Sequence, residues 1–114
     1  MTDVTPQDLR IREPELARLK PNNNELLSLI AKSFNDFALQ YKLETGLTIT
    51  NPSSHFDICV EFLALSYVFE SLIKTDDIYL IKANRYKALY DQRFNKLMPG
   101  SSKYGSCEVI GILR

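Results

Sequence analysis

The chain holds a single histidine, two cysteines, four glycines and no surplus of charge, with 14 lysines and arginines balancing 14 aspartates and glutamates. Each scarcity removes a class of function. One histidine, His55, leaves no two-histidine metal site and no metalloprotease motif within a chain. Cys59 and Cys107 stand far apart and fit neither zinc-ligand spacing nor a disulfide framework, which points to a reducing, intracellular setting. No Gly-rich phosphate loop, no G-x-S-x-G and no CxxC occurs. Balanced charge offers no overall electrostatic ground for nucleic acid or a membrane surface. The most apolar run, "FDICVEFLALSYVF", is broken by Asp57 and Glu61 and is too short to span a bilayer. The opening "MTDVTPQDLR" is polar and lacks the apolar core of a secretory signal. No catalytic residue, cofactor or bound metal is therefore expected.

What is present reads as helix. A length of 114 residues, with 45% hydrophobic and 25% charged residues, is that of one ordinary globular domain. "TPQDLRI" carries a helix start, with Thr5 as N-cap, Pro6 at the first position and Asp8 facing the free amides. Glu13-Pro14 interrupts it, since a residue before proline is pushed from helical angles. "PELARL" makes another turn before "KPNNN" breaks the chain, so the first twenty residues read as a short, polar preamble outside the core. Asn22 and Glu25 then stand at capping-box spacing ahead of a long helix. Its stripe of Leu26, Ile30, Phe34, Phe37, Ala38 and Tyr41 ends at Gly46. "TITNPSS" is a loop, with "LTIT" capable of a brief strand. Ser54 caps a second long helix, and Asp76 or Thr75 in "KTDD" a third that runs to about Met98. The third helix's stripe is Ile78, Tyr79, Ala83, Tyr86, Leu89, Tyr90, Phe94 and Leu97, and Pro99-Gly100 ends it. The fold class is all-α: a bundle of three long helices plus a short N-terminal one, spanning 1–100. An extended C-terminal arm, 101–114, carries a strand-like finish.

The second long helix is apolar around almost its whole circumference, from Phe56 to Ile73. Such a helix must be enclosed. With two other long helices available, one side is expected to stay uncovered in a monomer, marking a subunit interface through Phe62, Leu65 and Phe69. Charge divides too. Between residues 57 and 77 five acids (Asp57, Glu61, Glu70, Asp76, Asp77) face one base, Lys74. Between 82 and 103 six bases (Lys82, Arg85, Lys87, Arg93, Lys96, Lys103) face one acid, Asp91. Identical copies side by side would set one arm of the hairpin against the next copy's other arm, a head-to-tail contact.

The isolated polar groups read as structural. His55, beside Ser53 and Ser54 at a helix start, lacks a separate acid to orient it and suits a cap or surface role. Cys59 sits in an apolar run as a small hydrophobe, whereas Cys107 on the arm has no legible basic partner. Glu61 and Glu70, nine positions apart, have no third ligand at helical spacing; each is expected to face solvent or a neighbour's arginine. The Tyr79, Tyr86, Tyr90 and basic alternation is either core or a stacking platform for single-stranded nucleic acid.

The order of parts carries a resemblance. "TPQDLR" precedes "NNNELLSLIAKSFNDF", which ends near "YKLETGL"; then come "FDICVEFLALSYVFESL", "KTDD" and "YLIKANRYKALYDQRFNKLM". This pattern, over residues 5 to 98, resembles the small helical head-to-tail connector (adaptor) proteins of tailed bacteriophages. "ELLSLIAKSFNDFALQYK" is similar to that family's first long helix, and the last two segments to its final hairpin. The resemblance implies a non-enzymatic virion protein made in the host cytoplasm. It implies a twelve-membered ring in the neck, between portal and a tail-side stopper protein, touching DNA in passage. Glu70, Lys82, Arg85 and Arg93 would then serve subunit, portal or DNA contacts. The arm, with Val109, Ile110, Ile112 and Leu113, would add as a strand to a partner, or else fold back across its own bundle. The reading from another class is a small helical adaptor or regulator, monomeric or dimeric.

Overall fold

The computed structural model describes residues 3–20, 22–49 and 54–97, for Ser54 the backbone alone. Among them are five α-helices: α1 (Pro6–Arg12), α2 (Leu16–Leu19), α3 (Asn23–Thr45), α4 (Ser54–Glu70) and α5 (Ile78–Leu97). No strand occurs among the described residues, and Leu47 to Ile49 of "LTIT" are irregular.

Local chemistry sets most helix ends. Thr5 and Asp8 form a reciprocal capping box, the Thr5 amide donating to Asp8 at 2.9 Å and the Asp8 amide to the Thr5 hydroxyl at 3.3 Å. Glu13 closes α1 by donating its amide to the Leu9 carbonyl at 2.9 Å, just before Pro14. The Asn22 side chain accepts the Asn24 amide at 2.8 Å and starts α3. Glu25 pairs with Lys20 instead of completing a box. Gly46 ends α3 in the left-handed region, φ 77°, its amide bonded to the Lys42 carbonyl at 2.7 Å. Asp76, not Thr75, caps α5 by accepting the Ile78 amide at 3.1 Å. Ser54 is already the first residue of α4, a one-residue difference in the boundary.

α4 is the spine of the molecule. It packs most extensively on α5, next on α3, and also on α1. The chain runs up α3, down α4 and up α5, as two aromatic clusters show. At the α3 C-terminal end, Tyr41 lies 5.3 Å from Phe56, and Phe37 lies 5.6 Å from Phe56 and 5.9 Å from Phe94. At the other end, Phe69 stacks on Tyr79 at 5.7 Å and on Tyr86 at 6.0 Å. Offset or edge packing of this kind adds about 0.5–1.5 kcal/mol per pair beyond the area buried. Two buried serine hydroxyls are satisfied within their helices, Ser33 on the Leu29 carbonyl and Ser66 on the Leu63 carbonyl, both at 2.7 Å.

Two expectations are corrected here. The first twenty residues are not a preamble outside the core: Val4, Leu9 and Leu16 are buried in one cluster with Leu26, Ile30 and the α4 side chains. Consequently α4 has no uncovered side. Val68, Phe69 and Leu65 are 0% exposed and Phe62 6%, so Phe62, Leu65 and Phe69 are core residues of the single chain, not interface residues. The helix count behind that expectation left out α1, which packs on α4, and α2, which packs on α1 and adds Leu16 to the core. Burying a leucine such as Leu9 or Leu16 contributes about 1.5–3 kcal/mol, enough to hold two short helices down.

Candidate interaction surfaces

The charged residues singled out in the sequence fall into two groups once placed. Lys82 is used up inside the chain: its Nζ lies 3.0 Å from Glu13 and 2.7 Å from Glu15, in the link between α1 and α2. Those bonds, Glu15 foremost, raise its pKa above the usual lysine value. The Tyr86 hydroxyl donates to the same Glu13. Glu61 pairs with Arg12 of its own α1, whose guanidinium also sits 5.0 Å over the Phe62 ring. Neither Lys82 nor Glu61 therefore waits for a neighbouring copy, and both fasten the N-terminal segment. Glu70, Arg85 and Arg93 are exposed. Val109, Ile110, Ile112, Leu113 and Cys107 lie outside the described residues.

The tyrosines of α5 form no stacking platform. Tyr79, Tyr86 and Tyr90 are all buried, and the Tyr90 hydroxyl donates to Gln40 at 2.6 Å. Burial raises the phenol pKa of both Tyr86 and Tyr90. The rings that a single-stranded nucleic acid would need are spent on the core.

Little in the arrangement supports chemistry. Burial pushes the Cys59 thiol up to about 12, with Arg93 opposing only weakly, so the thiolate is scarce at neutral pH. His55 shares an open cleft of about 300 Å³ with Ile58, Arg93, Lys96 and Leu97, where the start of α4 meets the end of α5. A second cleft, about 410 Å³, is lined by Asp8, Ile11, Arg12 and Glu61. Neither holds a nucleophile beside an oriented base among the described lining residues. Among the described residues no group of three or more His, Cys, Asp and Glu side chains is placed to hold a metal ion, and no helix is long and apolar enough to cross a membrane.

Among the described residues, exposed large apolar side chains include Ile11 on α1, Leu27 near the start of α3, and two groups of three. On the outer face of α3, Leu39 and Leu43 stand one turn apart, 59% and 78% exposed, and Leu47 follows just past the Gly46 cap. On the first turn of α5, Ile78, Leu80 and Ile81 are exposed, Ile81 by 68%. Because α3 and α5 run the same way, these patches occupy opposite ends of the bundle. Ile78, which the sequence assigned to the buried stripe, belongs to the second patch. Leu39, Leu43 and Ile81 were legible as off-stripe residues: none shares the helical phase of Leu26, Ile30 and Phe37 on α3 or of Tyr79, Ala83 and Tyr86 on α5.

No family model matches the chain, and neither a curated protein nor a solved structure matches it.

Proposed function

We propose that this chain is a structural assembly protein that works through protein contacts, in the manner of the phage head-to-tail connectors its helix order resembles. On that reading it sits in the virion neck between portal and tail, joined to copies of itself in a ring. The observation that carries the proposal is the pair of apolar patches at opposite ends of one bundle, Leu39–Leu43–Leu47 and Ile78–Leu80–Ile81. Apolar patches that a chain leaves outside its own core mark protein contacts, and unlike patches on one molecule build heterologous contacts, which form a ring when the rotation between copies closes. The protein acts here as a non-enzymatic part. The exposed Arg85 beside the α5 patch supplies a rim charge for such a contact.

Native mass spectrometry over a concentration series, with and without portal protein, tests this directly. The expected result is growth of large oligomers, suppressed by Ile81→Asp. A chain that stays monomeric at every concentration, with portal present, overturns it. A second reading, the small adaptor acting as monomer or dimer, draws support from the closure of α4 within one chain. A stable dimer that does not grow further selects that reading.

A further inference from the structure

We propose that the cleft between the start of α4 and the end of α5 receives the acidic turn of a second copy. Asp77 and Glu70 of one copy are then set against Arg93 and Lys96 of the next. The inference rests on the assembly reading above and names the site through which one copy holds another.

Placement comes first. α4 and α5 run antiparallel, Phe56 and Phe94 both meeting Phe37 while Phe69 stacks on Tyr79. The hairpin therefore puts these bases and acids at opposite ends. At one end His55, Ile58, Arg93, Lys96 and Leu97 line the open cleft of about 300 Å³. No carboxylate is among its described lining residues, and Asp57, the acid of that turn, accepts the Asp3 amide at 3.3 Å. α4 begins and α5 stops there, so their opposed terminal partial charges offset and the side chains set the sign. At the other end Glu70, Asp76 and Asp77 are exposed beside Lys74, together with Ile78 and Ile81. Asp76 is occupied in capping the Ile78 amide, which leaves Asp77 and Glu70 as the outward acids. None of Glu70, Asp77, Arg93 and Lys96 is held in an ion pair among the described residues.

One copy cannot satisfy itself. α5, 20 residues from Ile78 to Leu97, is about 30 Å long, well past the screening length of about 8–10 Å at ordinary ionic strength. Only another molecule brings the two sets of charge together. The chain carries the complement of its own cleft: acids beside Ile78 and Ile81 for cations beside Ile58 and Leu97. The cleft has room for side chains and not for a helix about 10 Å across, so the turn enters by its side-chain tips. An arginine can hold a carboxylate by two parallel bonds, which fixes orientation as well as strength. Apolar patches alone leave the register between copies loose, whereas opposed charge specifies it. Leu39 and Leu43 stand at the cleft end and Ile81 at the acidic end, so the apolar and charged contacts close in the same direction. Overall charge, 14 against 14, adds no net repulsion between copies.

Two charge-reversed variants test the contact. Arg93→Glu with Lys96→Glu makes the cleft acidic, and Glu70→Lys with Asp77→Lys makes the turn basic. Alone, each variant sets like charge against like, and the concentration at which it assembles should rise at least about tenfold. In an equal mixture, the acidic turn of the first meets the basic cleft of the second. The basic turn of the second likewise meets the acidic cleft of the first, so oligomers should return. A chain carrying all four changes keeps a net charge of zero and should assemble like the parent, which separates a specific contact from attraction between oppositely charged proteins. Sedimentation velocity at matched salt, with and without portal protein, reads every sample. Variants that assemble as readily as the parent overturn the cleft contact and leave the assembly reading standing. Loss in both variants, with no return in the mixture or in the fourfold chain, overturns it equally. A parent that stays monomeric with portal present overturns the assembly reading, and this contact with it.

Discussion

Lys82 on α5 holds Glu15 at 2.7 Å across 67 positions of the chain. With Tyr86 on Glu13 and Arg12 on Glu61, the contact fastens the N-terminal segment over α4 and α5. Two kinds of force act there, and they separate experimentally. Leu9 is 0% exposed, so Leu9→Ala should cost about 2–5 kcal/mol. Lys82→Met removes a pair of partly solvated contacts, side chain 28% exposed, and should cost about 1 kcal/mol, less as salt rises. Urea unfolding followed by circular dichroism gives both numbers. A Leu9→Ala variant as stable as the parent would mean that the first helices do not cover the core.

Gly46 terminates α3 at φ 77°, with open space around the position a Cβ would take. The penalty for replacing it is therefore conformational and not steric. Gly46→Ala should lower unfolding stability by about 1 kcal/mol, and Gly46→Asn by less, since asparagine tolerates that backbone region. Thermal melts would read the order Gly, Asn, Ala. Equal melting temperatures for the alanine and asparagine variants would contradict the left-handed cap.

The same glycine shows what the sequence could disclose. Gly46, the Thr5–Asp8 box, the Asn22 cap and the cap in "KTDD" are local devices, each set by a few adjacent residues, and all were readable. So was the α3 stripe, because a helix that buries one face repeats at threes and fours. Two features were not readable, for one physical reason. α1 and α2 are seven and four residues long, too short for periodicity to declare a buried face, so Leu9 and Leu16 passed as parts of a polar opening. With those helices uncounted, α4 has more apolar circumference than α3 and α5 can cover, which turns Phe62, Leu65 and Phe69 outward. Ion pairs over long separations, Lys82 to Glu15 and Arg12 to Glu61, leave no trace in local spacing at all. The exposed Leu39 and Leu43 of α3, by contrast, are legible from helical phase alone, since neither falls on the stripe of Leu26, Ile30 and Phe37.

The Tyr67 hydroxyl donates to Asp36 at 2.6 Å and ties α4 to α3, while the Lys32 ammonium lies 4.0 Å over the Tyr67 ring and 3.4 Å from the same carboxylate. The tyrosine bond holds the Asp36 carboxyl below its ordinary value; partial burial works against it, and Lys32 and Lys87 assist. Tyr67 is moved the other way, upward, by burial first and then by Asp36. A carboxyl depressed in the folded state stabilises the fold at every pH above its ordinary value near 3.8, and that contribution is lost as pH falls through the depressed value. A phenol raised in the folded state stabilises the fold below its ordinary value near 10, and that contribution is lost as pH climbs beyond it. Tyr67→Phe deletes the phenol's contribution and the foremost cause of the carboxyl's, leaving Lys32 and Lys87 to act on Asp36. Because the Asp36 side chain is 45% exposed, the loss at pH 7 should be modest, about 1 kcal/mol after solvent screening. The parent should lose stability more steeply than Tyr67→Phe between pH 4 and pH 3, as the unfolded chain takes up the proton first. At alkaline pH the variant should keep part of the decline, since Tyr86 and Tyr90 are raised as well. Parallel unfolding curves at pH 3, 4, 7 and 10 measure this, and identical acid limbs for parent and variant would show that the Tyr67–Asp36 bond does not set the Asp36 charge.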